Sequence, residues 1–172
     1  WVPDAGSGNS PRRPRDAGQS GGGAMQLTRS VTIDAPVEVV FEGWADLERS
    51  PEHQRPTIER TRLTEGPIGA GTRYRAVDQW PGRKVAFEME IATFEPPYLI
   101  EVRWEDPMEG GWSARFEDLN GATRMSFETM IAPKGIMGML SPLMKPWASR
   151  QLAEGLDSFR SWVEASDERS PS

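Results

Sequence analysis

Runs of apolar residues at every second position, followed by one long amphipathic segment, constrain the fold of this chain most. Two of these runs are Val85, Phe87, Met89, Ile91 and Tyr98, Ile100, Val102, Trp104. Such alternation is typical of strands with one buried and one solvated face. The segment from Pro142 to about Ala165 has helical spacing and enough length to cover the buried faces. The pattern predicts an α+β fold in which an antiparallel sheet packs around one long helix.

Seven strands and two short helices are predicted ahead of that long helix. The strands are expected at Leu27–Ile33, Thr57–Thr64, Thr72–Trp80, Lys84–Phe94, Tyr98–Glu105, Trp112–Glu117 and Thr123–Ile131. Pro36 suits the first position of a helix between strands one and two, and Asp46 suits the cap of a second helical turn. Asn120-Gly121 indicates a hairpin turn, and Gly110-Gly111 a further turn before strand six.

The closing helix has a clear start and a clear buried face. Ser141 suits its N-cap, and a short turn is expected just before it, from Ile136 to Leu140. The residues predicted to face the sheet are Met144, Ala148, Leu152, Gly155, Phe159 and Val163. Because glycine costs about 1 kcal/mol in a helix relative to alanine, Gly155 is expected where the helix crosses the sheet closely.

Composition restricts the organisation of the chain and its class of function. Residues 1–24 are rich in Gly, Pro, Ser and Arg without hydrophobic period and predict a disordered tail, as do residues 167–172. Residues 25–166 then form one domain. A net charge of −6 with both signs scattered argues against nucleic acid as a partner. No apolar run reaches membrane-spanning length, so a cytoplasmic protein is expected.

The residue types available also restrict the chemistry. The chain has no Cys and one His, which excludes disulfides and thiolate catalysis and predicts no metal site and no cofactor. The glycine-rich stretch Gly66–Gly71 lacks the Lys-Ser/Thr of a phosphate-binding loop and joins two strands rather than a strand and a helix.

Strand parity predicts one charged and one apolar sheet face. The charged residues assigned to the outer face are Arg60, Arg62, Arg73, Arg75, Glu88, Glu90, Glu101, Arg103, Arg115, Glu117, Arg124 and Glu128. Interleaved signs favour a salt-bridged outer surface over an anion-binding patch. The opposite face is rich in Trp and Met, residues that supply broad apolar walls and adaptable packing.

A cavity between the apolar face and the closing helix is one interpretation of this richness, and a fully packed core is the other. The predicted ligand-binding residues are Tyr74, Trp80, Phe87, Met89, Trp104, Trp112, Phe127, Met137, Leu140, Met144 and Trp147. Position counting alone does not distinguish the two interpretations.

Two polar residues are candidate catalytic groups. Asp78 points inward by parity, and a carboxylate in an apolar cavity is suited to acid or base chemistry. The alternative is that strand three ends or bulges near Asp78 and leaves it in water. His53, the single histidine, lies in a proline-bounded loop that could overhang a cavity mouth, where it would suit proton transfer. A solvated loop histidine is the more ordinary interpretation.

Two stretches of the sequence resemble a known superfamily. SVTIDAPVEVVFEGWADLERSPEH and GPIGAGTRYRA, followed by the long closing helix, are similar to the START-like or SRPBCC superfamily, in particular its polyketide cyclase/dehydrase and lipid-transport branch. The resemblance covers about Met25 to Ala165. It implies a helix-grip fold: a seven-stranded antiparallel sheet wrapped around the C-terminal helix, with two short helices between strands one and two and an apolar cavity inside. Superfamily ligands include lipids, sterols, polyketides and other aromatic compounds.

Three functions stay open on the sequence. The first is binding of a hydrophobic small molecule, with entry gated by residues 136–146 and the Gly66–Gly71 loop. The second is a polyketide cyclase or dehydratase acting through Asp78 or His53, although outward-facing arginines argue against anchoring of a polar chain. The third is a protein-association domain with a collapsed cavity. A homodimer is compatible with each of them.

Overall fold

The computed structural model describes residues 24–80, 82–132 and 141–167, with side chains in the last segment described from Met144 onward. Seven strands form one antiparallel sheet, and the long helix packs against it. The elements are β1 (Met25–Ile33), α1 (Val37–Ala45), a 3₁₀ helix (Leu47–Glu52), β2 (Thr57–Arg62), β3 (Arg73–Trp80), β4 (Arg83–Glu95), β5 (Leu99–Trp104), β6 (Glu109–Asp118), β7 (Thr123–Ala132) and α2 (Ser141–Asp167). The predicted helix-grip α+β fold is confirmed.

Strand order in the sheet is β1-β7-β6-β5-β4-β3-β2, so β1 and β2 are its edges. Each strand from β2 to β6 pairs with the next strand along the chain, and the first strand, β1, pairs with the last, β7. Asn120 and Gly121 have positive φ angles of 63° and 111° in the turn between β6 and β7, as the Asn-Gly pair predicts. On the edge strand β1, Arg29 interrupts the apolar face and reaches Ser149 of α2 at 3.4 Å.

The two short helices follow the predicted order with small differences in their caps. α1 begins at Val37, one residue after Pro36, whose carbonyl accepts a hydrogen bond from the Val40 amide. The buried side of α1 carries Phe41 and Trp44. The side chain of Asp46 makes no capping hydrogen bond; the Asp46 carbonyl instead accepts from the Arg49 amide at 3.0 Å.

The two halves of α2 have different surroundings. Leu156, Phe159 and Val163 in the C-terminal half are buried in the hydrophobic core with the side chains of α1 and the sheet. Met144 and Ala148 in the N-terminal half border open space. Across the described residues, no helix combines the length and apolarity needed to cross a membrane.

The outer face of the sheet is the salt-bridged surface that strand parity predicts. Arg103 contacts Glu90 at 2.9 Å, and Arg124 contacts Glu117 at 2.9 Å. Arg73 pairs with Glu88, and Arg115 with Glu101, in the same cross-strand manner. Because these side chains are largely solvated, each pair contributes roughly 0–1 kcal/mol to stability.

Two predictions near β5 and β6 were wrong. Gly110 and Gly111 do not form a turn; they lie inside β6, where Gly110 pairs with Trp104 and Gly111 with Arg103. Glycine at these positions serves close approach between strands rather than chain reversal. Tyr98 does not begin the buried face of β5, because it lies in the preceding turn and is 57% exposed.

Candidate functional site

A cavity of about 250 Å³ lies between the concave face of the sheet and the N-terminal half of α2. The sheet, the loop before β2 and the helix each contribute part of its wall. The lining side chains from the sheet and the turns at its edge are Met25, Leu27, Thr57, Arg60, Asp78, Trp80, Phe87, Met89, Trp104, Met108, Trp112, Phe127, Thr129 and Ile131. The remaining wall consists of Trp44, Gln54, Arg55, Pro56, Met144, Trp147, Ala148, Gln151, Leu152, Gly155 and Leu156.

Five tryptophans border the cavity, and one of them, Trp44, also contacts aromatic residues of the core. Trp44 of α1 meets Trp112 edge-on, with ring centroids 5.9 Å apart, and meets Phe127 at 5.5 Å. Trp44 also contacts Phe159 of α2, with ring centroids 4.9 Å apart. These contacts connect the cavity wall to the core, so packing fixes the positions of the wall residues around Trp44.

Arg60 and Asp78 form an ion pair in the cavity wall. Nη1 of Arg60 donates to Oδ1 of Asp78 at 2.7 Å, and only 10% and 16% of the two side chains are exposed. Nη1 also donates to the Glu59 carbonyl, and Nη2 to the Thr57 hydroxyl. The guanidinium carbon lies 5.9 Å from the ring centroid of Phe87, close enough for a cation–π contact.

The predicted outward orientation of Arg60 and Arg62 was wrong. Arg60 is paired with Ala76 and Arg62 with Tyr74, both on the concave side of β3, and cross-strand partners share a face. A register shift between Thr57 and Glu59 changes the parity of β2. The strand sequence TIERTR has no apolar alternation that would have revealed the change.

Eight of the predicted ligand-binding residues come together around the cavity: Trp80, Phe87, Met89, Trp104, Trp112, Phe127, Met144 and Trp147. Met137 and Leu140 lie outside the described residues, as does the predicted turn that contains them. Tyr74 borders the core rather than the cavity. The Gly66–Gly71 loop also lies away from the cavity, and its Ile68 instead contributes to a separate groove against Phe41 and Phe94.

Tyr74 is fully buried, and its hydroxyl has no hydrogen-bond partner among the described residues. Burial raises the pKa of the Tyr74 hydroxyl to about 12, since the ionised form loses its hydration. Parity placed this side chain on the correct face. It did not tell which inward residues meet the core and which meet the open space.

His53 is buried rather than solvated or placed at the cavity mouth. It follows the 3₁₀ helix, is 2% exposed and packs against Phe159 and Trp162 of α2 with ring centroids 4.9 and 4.7 Å away. Neither ring nitrogen has a hydrogen-bond partner among the described residues. Burial lowers the pKa of His53 to about 4, so the imidazole is neutral at pH 7. It does not line the cavity.

Asp78 is the one predicted catalytic candidate that borders the cavity. It lies within β3 and is directed inward, as parity indicated, with Arg60 as its partner. The alternative in which strand three ends or bulges near Asp78 is therefore wrong. Across the described residues, no three histidine or acidic side chains lie together in an arrangement that could hold a metal ion.

Several residues that line the cavity were not predicted from the sequence. Met108 follows Pro107 in a turn, and an isolated apolar residue in a polar turn is a signal that could have marked it. Arg60 could have been suspected because an inward Asp78 needs a cationic partner. The contact of Trp44 with the cavity depends on how α1 sits against β6 and β7, which the sequence of α1 alone does not reveal.

Comparisons with known proteins agree on the architecture. A family model described as polyketide cyclase/dehydrase and lipid transport matches residues 24–164. No curated protein matches the sequence significantly. The Zhui aromatase/cyclase from Streptomyces sp. R1128 superposes with a TM-score of 0.70 at 17% identity, covering 83% of this chain and 94% of the other.

Two further solved structures are similar. Protein TTHA0849 from Thermus thermophilus has a TM-score of 0.72 at 18% identity, with 83% of this chain and 99% of that one covered. A START superfamily protein from Mycobacterium smegmatis has a TM-score of 0.67 at 14% identity, with coverage of 81% and 97%. At these identities the likeness concerns the fold.

Proposed function

This chain belongs to the polyketide cyclase/dehydrase and lipid transport family, and on that premise we propose that it binds a small hydrophobic molecule in the cavity beneath α2. The observation that carries the proposal is the cavity wall itself. Five tryptophans, four methionines and two phenylalanines line the space, against one ion pair, the exposed Arg55 and a few uncharged polar groups. An apolar wall with few polar groups is typical of small-molecule sites.

The volume restricts the size of the occupant. A protein cavity of about 150 Å³ accommodates benzene. A cavity of about 250 Å³ therefore has room for roughly one more fused ring, which points to a two-ring aromatic or a compact aliphatic of the same size. Removal of such a molecule from water favours binding by roughly 25 cal/mol per Å² of apolar surface, before the entropy of association is subtracted.

Calorimetric titration of 2-methylnaphthalene with the full chain tests the proposal. Binding is expected with the unsubstituted protein and should be lost in Ala148→Trp, because Ala148 borders the cavity and an indole there would occupy it. Ser158→Trp is the matched control, since Ser158 is an exposed position of the same helix. No heat of binding with the unsubstituted protein, either for this probe or for its hydroxylated analogue 2-naphthol, would refute a ligand site in this cavity, and so would equal binding by both variants.

A second candidate function is dehydration of a β-hydroxy ketone, with Asp78 as the base. The observation in its favour is that Asp78 borders the cavity while only its Oδ1 accepts a hydrogen bond within the described residues. In this reaction the Asp78 carboxylate removes a proton from the carbon beside the carbonyl, and a C=C bond forms as the C–O bond to the hydroxyl breaks. Asp78 then returns the proton to the departing hydroxyl, which leaves as water and regenerates the carboxylate. His53 is assigned no part in it, because its ring lies in the core.

The absorbance of the conjugated product provides a direct assay. The probe 4-hydroxy-4-phenylbutan-2-one would lose water faster in the presence of the protein, and Asp78→Asn would abolish the acceleration. Equal rates with and without protein would exclude this candidate for the probe class. The third alternative, association through a collapsed cavity, has no support at the volume observed. A homodimer stays a prediction, which a concentration-dependent mass in solution would test.

A further inference from the structure

The Arg60–Asp78 pair is the one charged pair that borders the cavity within the described part of the chain. Its neighbours in the wall are mostly apolar, and Phe87 lies against the guanidinium. We propose that this pair selects a neutral ligand that bears a hydroxyl group on an aromatic ring system of about two rings. The proposal rests on the proposed binding function and adds the chemical class of the ligand.

Arg60 and Asp78 leave both a donor and an acceptor available for a ligand group that can donate and accept hydrogen bonds. A guanidinium has five N–H donors. Within the described residues Arg60 uses three of them, toward Glu59, Thr57 and Asp78. Asp78 accepts through Oδ1 in that part of the chain, so Oδ2 is left for a further donor. A hydroxyl can donate to Oδ2 and accept from a remaining N–H of Arg60, which satisfies both partners at once.

The charge balance of the pair disfavours ionic ligands. A carboxylate would be attracted to Arg60 and repelled by Asp78, whose oxygen lies only 2.7 Å from the guanidinium nitrogen. A cation would be attracted to Asp78 and repelled by Arg60. Arg55 also borders the cavity, but it is exposed and its charge is solvated. A preformed neutral pair therefore favours a ligand without net charge.

Three probes of nearly equal shape separate hydroxyl recognition from burial alone. These are 2-naphthol, 2-methylnaphthalene and 2-naphthoate, of which only the last is ionised at pH 7. Calorimetric titration of the full chain should give 2-naphthol about tenfold tighter binding than 2-methylnaphthalene, the ratio expected for one hydrogen bond to a charged group. 2-Naphthoate should bind more weakly than 2-naphthol.

Substitution of Asp78 should reverse the preference for 2-naphthol over 2-naphthoate. In Asp78→Asn the site acquires the uncompensated charge of Arg60, so 2-naphthoate should gain and 2-naphthol should lose about tenfold in affinity. Glu117→Gln makes the same change of charge in an ion pair on the outer face and should leave the ranking unaltered. A thermal unfolding transition for each variant shows that it is folded, and the ranking with the unsubstituted protein tests the proposal without any variant.

The outcomes distinguish hydroxyl selection by the ion pair from ligand binding in the cavity as such. Equal affinity for 2-naphthol and 2-methylnaphthalene, or tightest binding of 2-naphthoate by the unsubstituted protein, would overturn hydroxyl selection while leaving a ligand site in place. An unchanged ranking in a folded Asp78→Asn would overturn the role of the pair. Failure of all three probes to bind would overturn both proposals.

Discussion

The indole of Trp104 lies directly on the backbone of Gly110, its cross-strand neighbour in β6. A Cβ atom on Gly110 would lie 2.6 Å from Cζ2 and 2.9 Å from Nε1 of that indole. Real Cβ atoms do not approach other atoms so closely, so the absence of a side chain at Gly110 sets the position of the ring. From that position the ring packs against Phe87 at a centroid distance of 5.5 Å and forms part of the cavity wall.

Gly110→Ala is therefore expected to displace Trp104 and to perturb the cavity. The displacement should lower the free energy of unfolding by about 1–3 kcal/mol, as overpacking does elsewhere, and should weaken binding of 2-methylnaphthalene. Urea denaturation and calorimetry measure the two effects. Gly69→Ala is the control, because no atom lies within 4 Å of its added Cβ. Equal stability losses in the two variants would mean that the glycine does not position the indole.

Gly155→Ala is expected to stabilise the protein. The nearest atom to its added Cβ is the Arg55 carbonyl oxygen at 3.8 Å, an ordinary contact, so the close sheet crossing expected from the sequence is absent here. Alanine gains about 1 kcal/mol of helix propensity over glycine, and urea denaturation should show most of that gain. Because Gly155 borders the cavity, the added methyl should also weaken binding of 2-methylnaphthalene. A loss of stability would contradict the open surroundings of this residue.

Tyr74→Phe should leave the protein at least as stable, and more stable by about 1 kcal/mol if the hydroxyl is fully desolvated. The hydroxyl is buried without a hydrogen-bond partner in the described structure, so its removal relieves a desolvation cost and preserves the ring packing. Thermal and urea unfolding give the difference. A loss above about 1 kcal/mol would indicate a hydrogen-bond partner for the hydroxyl and would contradict this account.

His53 should make the stability depend on pH above the range of the carboxylates. Its pKa is lowered from 6.5 to about 4 by burial, so the unfolded chain binds a proton more readily than the folded protein. This contribution is complete above pH 6.5 and is lost as the pH falls toward 4, by up to about 3 kcal/mol. Urea unfolding at several pH values between 6.5 and 4.5 should show the loss.

His53→Leu supplies the comparison for that titration. The variant lacks the imidazole, so its free energy of unfolding should change less over the same pH interval. Glu52 and Arg49 lie next to His53, and the hydrogen bond from Arg49 lowers the pKa of Glu52. Both proteins retain Glu52, so its titration contributes to both pH profiles. Parallel pH profiles for the two proteins would exclude His53 as the source of the dependence.

The sheet, its outer charges and the covering helix were predictable because their signals are periodic. Alternation in β4 and β5 placed Phe87 and Trp104 on the concave face, and the three- or four-residue spacing of α2 placed Met144 and Phe159 on one side of the helix. Each of these signals depends only on neighbouring residues within one element.

The ion pair and the burial of His53 depend on contacts between elements. The register shift in β2 turns Arg60 toward Asp78 of the next strand, and TIERTR contains no apolar pattern that would disclose it. His53 is buried because Trp162 and Phe159, more than a hundred positions later, cover it. Local periodicity holds no information about such distant partners.

The division of α2 has a consequence for how this protein could be redesigned. Met144, Ala148 and Leu152 border the open space, whereas Phe159 and Val163 hold the domain together. Under the proposed binding function, substitutions at Met144 or Ala148 should change which ligand fits the cavity with little loss of stability, whereas substitutions at Phe159 or Val163 should destabilise the fold. Different parts of one helix can therefore be changed to alter ligand selectivity and to alter stability.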